Sequence, residues 1–573
     1  MERTDFRRDV LVACALAMVL GIGWTIRDWS ALRMLQLPDT DDVMRLQQVR
    51  DWLAGQRFSD LTQHRLGAGV PMHWSRLGDL GPALLIVAFR SLGSHVAELV
   101  AVIVWPLLLF AVALSLVART ARAIGASAGT ATVVAALAYP ATTIFLPGRI
   151  DHHGLQLVLL LIAIGRLLAR DGDGALLSGG MRSGAVIGVA ATASLVVGLE
   201  TTPLLVTIGG LVTLDWVAAR MGSADRLMGL GAGALMALAV ARLTLAPDAF
   251  AFAACDGFTA DSWAAAMAGA VGALLLGSIG RALTLSRGAR IAFAAAAGAA
   301  LSLAVVRVAP RCLTPYGAVD PELARWWLAR VGEAQPLLHA APATAIGYAG
   351  IMAAGLVATA WWLLRERSRG WAMLLALQLV AMATTMAQLR GAYVGAVLGA
   401  PALAMTIAAA RRHGVLPLAI AWGMSAGMVY PIAAEAFMPS ERSAAAGTAC
   451  TAPIVVQRLA DLPPGTLMAP IDVGAWAIAA TSQRPVAGPY HRNTAGNRAM
   501  LGFFRADPDR AARIAGTWRV RYVLLCDADG AAFAASPNAI ASRIVAGRPP
   551  LWLQPLAAPG IGVHLFIVRH VAH

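Results

Sequence analysis

Residues 148–154 read Gly-Arg-Ile-Asp-His-His-Gly and place a carboxylate beside two imidazoles where one apolar run ends and the next begins. Ionisable groups at such a boundary indicate a functional site, because hydrocarbon does not tolerate them without a partner. Asp151 and His153 offer the oxygen and nitrogen ligands that divalent metal ions use, and His152 is a reserve ligand. In the alternative interpretation, Asp151 caps the following helix and both histidines are interfacial polar residues.

A second acidic cluster, formed by Asp39, Asp41 and Asp42, follows the first apolar run. Closely spaced carboxylates repel one another unless a cation or an arginine lies between them, and hard oxygen ligands of this kind suit Mg²⁺ or Mn²⁺. In the alternative interpretation, these acids form the N-cap and first turn of an amphipathic helix over 43–53, where the helix dipole favours them. The spacing leaves both interpretations open.

Later connections contain further candidates. Glu333 lies in a long connection, 309–342, and loops of this length are usually functional or disordered; the alternative is a surface acid. Arg390 ends an apolar run, where an anionic phosphate needs a cationic partner, although an arginine that snorkels to the interface is equally consistent. Arg149 is a second candidate for the phosphate, and Tyr393 is a reserve.

The composition indicates which elements must position these groups. Of the 573 residues 58% are hydrophobic and 14% are charged, whereas soluble domains carry about 25% charged residues. We therefore predict an integral membrane protein made mostly of helices, which satisfy their own backbone hydrogen bonds in lipid. The sequence contains no lysine, so its net charge of +14 comes from arginine. Much of that arginine is clustered between apolar runs, where it orients helices, and we exclude nucleic acid as a partner.

Apolar runs of about 17–25 residues predict about thirteen membrane spans. The predicted spans are 10–26, 96–118, 129–146, 153–169, 184–199, 201–218, 227–246, 263–282, 290–308, 343–364, 371–388, 392–410 and 414–434. With a cytoplasmic N-terminus, alternation places the arginine-rich connections inside, and the short outside connections keep only Arg149 and Arg390. The predicted transmembrane domain, 1–434, then has two long external loops, 27–95 and 309–342.

The tail, 435–573, has a different sequence pattern. Strand-like runs alternate with helical ones, which predicts a small external α/β domain. His491 and Arg492 are candidates for an acceptor cleft, with ordinary loop residues as the alternative. Cys450 and Cys526 both fall in this tail, where a disulfide is permitted, and no two cysteines are spaced as a metal-binding pair.

Together these patterns resemble the catalytic subunit of oligosaccharyltransferase and the wider GT-C class of polyprenyl-linked glycosyltransferases. The stretch 41–51 is similar to the acidic motif of the family's first external loop, and 148–153 is similar to the second acidic motif in the Asp-His-His form of archaeal members. The stretch 331–336 resembles the Ser-Val-Ser-Glu-His-Gln-Pro segment of the last long external loop. Arg390 stands where the family has an arginine that contacts the lipid pyrophosphate. Thirteen spans followed by an external domain is also the family's layout.

The resemblance implies that Asp41, Asp151 and His153 bind a divalent cation, Mg²⁺ or Mn²⁺, and that Glu333 completes the site or holds the acceptor nucleophile. The cation and the arginines would neutralise charge on the departing phosphate. The predicted donor-phosphate ligands are Arg390 and Arg149. The reserve residues for these roles are Asp39, Asp42, His152, Tyr393, His491 and Arg492.

The chain departs from the family where oligosaccharyltransferases read the acceptor sequon. The Trp-Trp-Asp motif is absent from the tail, since the pairs at 326–327 and 361–362 lie elsewhere and are not followed by aspartate. Protein N-glycosylation is therefore in doubt, and the acceptor stays open between a glycan, a lipid and a protein. The expected activity is transfer of a sugar or oligosaccharide from a polyprenyl phosphate or pyrophosphate donor, in the inner membrane of a bacterium with a GC-rich genome.

Two other classes of protein compete with this expectation. A polytopic transporter or lipid-linked glycan flippase would explain the interruption of a long apolar stretch at Glu200-Thr201-Thr202-Pro203, since transporters use broken helices. It would place its ionisable residues near the middle of the bilayer, whereas the acids here lie at the ends of predicted spans. A non-catalytic scaffold would tolerate the loss of every candidate acid.

Overall fold

The computed structural model describes residues 3–169, 179–314, 319–438 and 449–569, and most of them are helical. Contacts divide the chain into two compact units. The first unit comprises Met1–Leu35, Trp74–Ala318 and Leu328–Ser440, and the second comprises Gln36–His73, Val319–Trp327 and Glu441–His573. The second unit thus takes in parts of both predicted external loops, while the predicted domain boundary at 434/435 stays a prediction.

The first nineteen α-helices, in chain order, are α1 (Arg3–Leu32), α2 (Thr40–Leu53), α3 (Arg76–Phe89), α4 (Ser94–Ala123), α5 (Ala128–Ala136), α6 (His153–Leu168), α7 (Gly179–Val197), α8 (Thr202–Val217), α9 (Ser223–Leu243), α10 (Pro247–Phe250), α11 (Ala260–Ala282), α12 (Arg287–Val308), α13 (Pro321–Trp326), α14 (Pro342–Glu366), α15 (Arg369–Ala387), α16 (Gly391–Leu398), α17 (Ala400–Ala410), α18 (Val415–Ser425) and α19 (Val429–Phe437). The remaining helices are α20 (Pro453–Ala460), α21 (Val473–Ala480), α22 (Thr494–Arg505), α23 (Pro508–Thr517), α24 (Asp527–Phe533) and α25 (Ile540–Val545). The strands are β1 (Thr62–Gln63), β2 (Val70–Pro71), β3 (Thr466–Met468), β4 (Arg484–Pro485), β5 (Val520–Cys526), β6 (Leu553–Pro555) and β7 (Val563–Val568).

The apolar helices confirm a multi-pass helical membrane protein. Among the described residues, nine helices are long and apolar enough to cross a membrane, and α18 with α19 forms a further candidate that is bent by 86°. The predicted count of about thirteen is not confirmed, because some apolar runs are not single long helices. The predicted span 129–146 contains α5, which ends at Ala136, and a separate 3-10 turn, Ala141–Phe145. Helices α6 and α8 are apolar but shorter.

Glycines allow α7 and α9 to pack backbone against backbone. A Cβ atom added at Gly184 would lie 2.0 Å from the Arg226 carbonyl oxygen, and one at Gly188 would lie 2.2 Å from the Leu230 carbonyl oxygen. The contact is reciprocal, since a Cβ at Gly229 would lie 2.1 Å from a carbonyl oxygen of α7. Small residues that let helix backbones approach closely are a main source of helix association in membranes.

We expect Gly188→Ala to separate α7 from α9 and to destabilise the fold by about 1–3 kcal/mol, as overpacked sites usually do. The measurement is the melting temperature and the monodisperse fraction of the full chain in mild detergent. Gly209→Ala in α8 is the matched control, because among the described residues no atom beyond its chain neighbours and its own helix backbone lies within 4 Å of a Cβ at that position. Equal stability of the two variants would contradict the packing argument.

Each unit contains one disulfide among its described residues. Cys450 joins Cys526 in the second unit, which is the pairing that the sequence permitted, and Cys255 joins Cys312 in the first unit. The Cys255–Cys312 pair connects the segment before α11 to the segment after α12. The two ends meet because α11 and α12 form a hairpin of two adjoining helices.

The second unit contains the expected small α/β fold. Its mixed sheet has the strand order β4-β3-β5-β7-β6. Strand β3 is parallel to both β4 and β5, whereas β7 is antiparallel to both β5 and β6. The core of this sheet includes Leu467, Leu524 and Leu565, which are all buried. The prediction of a C-terminal α/β region is therefore confirmed.

Asp529 in α24 gives this unit a pH-dependent stability. Burial, reinforced by the negative charge of Asp472, raises the pKa of Asp529 from 3.8 to about 6. The folded state therefore holds this proton more tightly than the unfolded state does. The resulting stabilisation is complete below about pH 4, declines as the pH rises and is lost above about pH 6.

We expect Asp529→Asn to raise the melting temperature of this unit by about 2–5 °C near pH 8 and to change that temperature little near pH 4. Thermal unfolding of the full chain at both pH values is the measurement. Asp461→Asn, at an exposed position, is the control that should have no effect at either pH. A D529N variant that melts like the parent chain near pH 8 would refute this assignment.

Candidate metal and phosphate site

The segment before α6 brings its three predicted ligands together. Asp151, His152 and His153 are 6%, 4% and 7% exposed, so all three are buried. Asp151 Oδ1 is hydrogen-bonded to His152 Nδ1, and Asp151 Oδ2 lies 3.3 Å from His153 Nε2. Each residue offers one ligand atom, and these atoms all lie within 4.8 Å of one another.

Two backbone hydrogen bonds bring Glu333 and Arg390 to the same place. The Leu389 amide donates to the Gln335 carbonyl at 2.9 Å, and the Arg390 amide donates to the Glu333 carbonyl at 3.1 Å. The long loop is thereby fixed to the start of α16. The Glu333 carboxylate lies 3.6 Å from Arg390 Nη2 and 3.7 Å from His153 Nε2. The predicted residues Asp151, His153, Glu333 and Arg390 are thus neighbours.

Tyr393 and Arg149 lie beside this group. The Tyr393 hydroxyl donates to Glu333 Oε2 at 3.4 Å, and its ring centroid is 5.7 Å from that of His153. Tyr348 of α14 lies beside Tyr393, with the two ring centroids 6.3 Å apart. The charge of Arg149 acts on both tyrosines. Arg149, the second candidate for the phosphate, therefore acts on a residue that contacts Glu333.

Glu200 is a member of the group that the sequence interpretation missed. It lies in the turn between α7 and α8, and its carboxylate is 3.1 Å from His152 Nε2 and 3.5 Å from Arg390 Nη1. Gln156 Nε2 donates to the other carboxylate oxygen at 2.8 Å. The sequence showed Glu200 only as an interruption of an apolar stretch, because its spacing from Asp151 follows no local pattern.

The electrostatics of the group keep the carboxylates of Glu333 and Glu200 ionised. Burial would raise the pKa of Glu333, but the interaction with the nearby His153, with the charge of Arg390, outweighs it and lowers that pKa to about 2. Burial likewise opposes ionisation of Glu200, yet His152, His153 and Arg390 hold its pKa well below the usual value. Burial would lower the pKa of His152, but Asp151 and Glu200 raise it to about 10.

The donor set fits a divalent cation. His152 directs Nδ1 at Asp151 and Nε2 at Glu200, so it orients the other groups, whereas His153 Nε2 lies 3.3 Å from Asp151 Oδ2 and 3.7 Å from Glu333 Oε2. Two carboxylates and an imidazole suit Mn²⁺ or a similar transition ion better than Mg²⁺, whose protein ligands are oxygens. A second group of possible ligands, Cys450, Cys526 and Asp529, is not of this kind, because its sulfurs form a disulfide.

The first acidic cluster lies in the second unit. Asp39 is the N-cap of α2 and accepts a hydrogen bond from the Asp41 amide at 3.2 Å, as the alternative interpretation expected. Asp42 is completely buried, whereas Asp41 is partly exposed. The N-cap hydrogen bond uses the side chain of Asp39, and the prediction that Asp41 binds the cation stays a prediction.

His491 and Arg492 also belong to the second unit. The His491 ring centroid is 4.6 Å from that of His73, and Arg492 Nη1 donates to the Met72 carbonyl at 3.3 Å. The neighbouring Tyr490 hydroxyl donates to the Thr40 carbonyl at 3.0 Å. These contacts connect the C-terminal region to the segment 36–73. The predicted acceptor cleft at His491 and Arg492 stays a prediction.

Comparisons by sequence found no match: no family model fits this chain, and no curated protein resembles it. Solved structures do match. The oligosaccharyltransferase AglB of Archaeoglobus fulgidus, in complex with an inhibitory peptide and a dolichol-phosphate, superposes with a TM-score of 0.67 at 15% identity, over 94% of this chain and 71% of that one.

Two further structures of the Archaeoglobus fulgidus oligosaccharyltransferase agree. One, tethered to an acceptor peptide with an NVT sequon, gives a TM-score of 0.64 at 16% identity, over 99% of this chain and 74% of that one. The other, a complex with Zn and sulfate, gives 0.58 at 14% identity, over 91% and 68% of the two chains. The similarity extends over nearly the whole chain, and the chain therefore has the GT-C fold of oligosaccharyltransferase catalytic subunits.

Proposed function

We propose that this protein is a membrane glycosyltransferase that moves a sugar or oligosaccharide from a polyprenyl phosphate or pyrophosphate donor to an acceptor. The main observation in support of the proposal is that Asp151, His153, Glu333 and Arg390 lie next to one another. These residues come from separate parts of the chain and combine metal ligands with a guanidinium at the ends of apolar helices. A site for a lipid-linked phosphate needs this combination, because its phosphate lies at the membrane surface and its chain lies in the bilayer.

Asp151, His153 and Glu333 would hold a divalent cation, with Asp41 as a further proposed ligand. When bound, such a cation acts as a Lewis acid that stabilises negative charge on phosphoryl oxygens. Arg390, with Arg149 nearby, binds the donor phosphate through charge-assisted hydrogen bonds, for which the planar guanidinium is suited. The site would therefore neutralise the phosphate as it leaves.

The proposed reaction is a displacement at the anomeric carbon of the donor sugar. The acceptor nucleophile forms a bond to that carbon as the bond from the carbon to the phosphate oxygen breaks, and the polyprenyl phosphate or pyrophosphate leaves with the bonding electrons. A carboxylate of the site, Glu333 or Asp41, orients the nucleophile and takes its proton. The AglB structures contain a dolichol-phosphate in one case and an acceptor peptide in another, and ligands of these two kinds support this scheme.

We further propose that the site faces the periplasm of a bacterial inner membrane, with a cytoplasmic N-terminus and a periplasmic C-terminal region. Disulfides form in oxidising compartments, and the Cys255–Cys312 and Cys450–Cys526 bonds support this orientation. The acceptor is a glycan, a lipid or a protein. Without a Trp-Trp-Asp motif in the tail, recognition of a protein sequon has less support than it has in oligosaccharyltransferases.

A transporter or lipid-linked glycan flippase is the alternative function. Its main support was the interruption at Glu200, but that residue lies in a turn between two helices and contacts His152 and Arg390. A carboxylate in such contacts serves the candidate site and does not require a helix broken in the middle of the membrane.

The test is to delete the gene and extract lipid-linked saccharides from the membranes. We expect the unused donor to accumulate, and we expect the wild-type gene to clear it. Asp41→Asn, Asp151→Asn and Glu333→Gln should each fail to clear it. Asp261→Asn, which breaks an exposed ion pair with Arg311, is the matched control and should restore clearance. Unchanged lipids in the deletion strain, or clearance by all three site variants, would overturn the proposal.

A further inference from the structure

We propose that Glu200 is a positioning residue of the transfer reaction, which holds Arg390 and His152 in their working orientations through its negative charge. This inference rests on the proposed function, since it assigns Glu200 a part in sugar transfer at the same site. Nothing in the sequence pattern or in the resemblance to oligosaccharyltransferases points to this residue. The inference comes from its contacts alone.

Glu200 joins groups that arise from separate helices. One carboxylate oxygen, Oε1, lies 3.1 Å from His152 Nε2, just before α6, and 3.5 Å from Arg390 Nη1, just before α16. The other oxygen, Oε2, accepts the amide of Gln156, one turn into α6, at 2.8 Å. The side chain therefore uses both oxygens and connects the candidate metal ligands to the candidate phosphate ligand.

The backbone opposite Glu200 leaves room for its carboxylate. A Cβ atom added at Gly198 would lie 2.4 Å from Glu200 Oε2, 2.8 Å from Gln156 Nε2 and 3.0 Å from His152 Cδ2. A larger residue at this position would meet the ends of the Glu200 and Gln156 side chains, so these side chains would have to shift. The glycine therefore leaves the carboxylate the space that it occupies.

The arrangement also explains the position of Arg390. Its guanidinium lies between two carboxylates, 3.5 Å from Glu200 and 3.6 Å from Glu333. Two acids on different sides keep the guanidinium from collapsing onto either one. Without the Glu200 charge, Arg390 would be held from one side only, and its guanidinium would no longer keep the orientation that the transition state needs. A partner that orients the residues of a metal site commonly contributes about 10–100-fold to activity.

The charge and the shape of Glu200 can be tested separately. Glu200→Gln keeps the shape but removes the charge, whereas Glu200→Asp keeps the charge but shortens the side chain. We expect E200Q to lower donor clearance in the complemented deletion strain by about 10–100-fold, and E200D to retain several-fold more activity than E200Q. We expect Gly198→Ala to lower activity in the same direction, although it leaves Glu200 in place.

A binding measurement distinguishes positioning from a merely structural role. The probe is undecaprenyl phosphate, titrated against the purified full chain with Mn²⁺ present. We expect E200Q to bind this phosphate at least as tightly as the wild type, because a competing negative charge near Arg390 is gone. A structural role would lower binding and activity together and would lower the melting temperature. Thr202→Ala, which removes a hydrogen bond to Leu199 in the same turn, is the matched control and should change neither property.

The outcomes separate this inference from the proposed function. If Asp151→Asn still clears the donor, the proposed function fails. If D151N is inactive but E200Q matches the wild type, or E200Q is at least as active as E200D, the positioning role alone is refuted. In an Arg390→Gln background, E200Q should lower activity little further, because the effects of substitutions at residues that act through one another are not additive. A full additional loss in the double variant would also refute it.

Discussion

Asp151→Asn should abolish sugar transfer, with turnover reduced at least about 1,000-fold. Asp151 contacts both His152 and His153, so its loss removes an anionic metal ligand and releases the two imidazoles that it holds. The measurement is transfer by the purified full chain, using as donor the lipids that accumulate in the deletion strain. Mn²⁺ affinity, read by electron paramagnetic resonance, should fall by at least about 100-fold.

Asp261→Asn is the matched control for this substitution. Asp261 is likewise a carboxylate with a charged partner, since it forms an ion pair with Arg311 at 3.1 Å. It lies outside the candidate site. Its variant should bind Mn²⁺ and transfer sugar like the wild type. If D151N kept the wild-type affinity for Mn²⁺, the carboxylate would not be a metal ligand, and the assignment of this centre would be wrong.

Arg390→Gln should produce the second large effect, a loss of about 100- to 1,000-fold in turnover, as expected for removal of a donor aimed at charge that develops in the transition state. Undecaprenyl phosphate should also bind more weakly, which is the opposite of the change expected for E200Q. Arg390→Lys keeps the charge but loses the planar fork that binds phosphate oxygens in pairs, so it should recover only part of the activity.

Arg311→Gln is the control for Arg390, since Arg311 is an exposed arginine whose side chain is 52% accessible and whose partner is Asp261. This variant should bind undecaprenyl phosphate normally. Wild-type phosphate binding by R390Q would show that Arg390 is an interfacial arginine, which was the alternative interpretation of its sequence position.

The local part of the site could be predicted from the sequence. Asp151, His152 and His153 are consecutive residues at the start of an apolar helix, so their chemistry and their position are both visible in one short stretch. Glu333 and Arg390 are far apart in sequence; their positions in a long loop and at the end of an apolar run made them candidates, and the family resemblance implied their roles at one site. The structure adds the physical reason for their proximity, which is the pair of backbone hydrogen bonds between the loop and the start of α16.

The remaining features depend on tertiary contacts that no local pattern encodes. Glu200 reaches His152 because α7 and α8 meet in a turn beside the start of α6. Cys255 and Cys312 are 57 residues apart and meet only because α11 and α12 fold back on each other. The number of spans was not predictable from apolar runs, since runs such as 129–146 contain a helix end and a 3-10 turn, and hydropathy does not detect either.

The two main-chain hydrogen bonds that join the segment 333–335 to 389–390 have a practical consequence for engineering. They involve no side-chain atoms, so the separation between positions 333 and 390 does not depend on which amino acids occupy them. Side-chain substitutions at 333 and 390 should therefore leave the backbone path in place, so that a loss of activity can be assigned to the side chain that was changed.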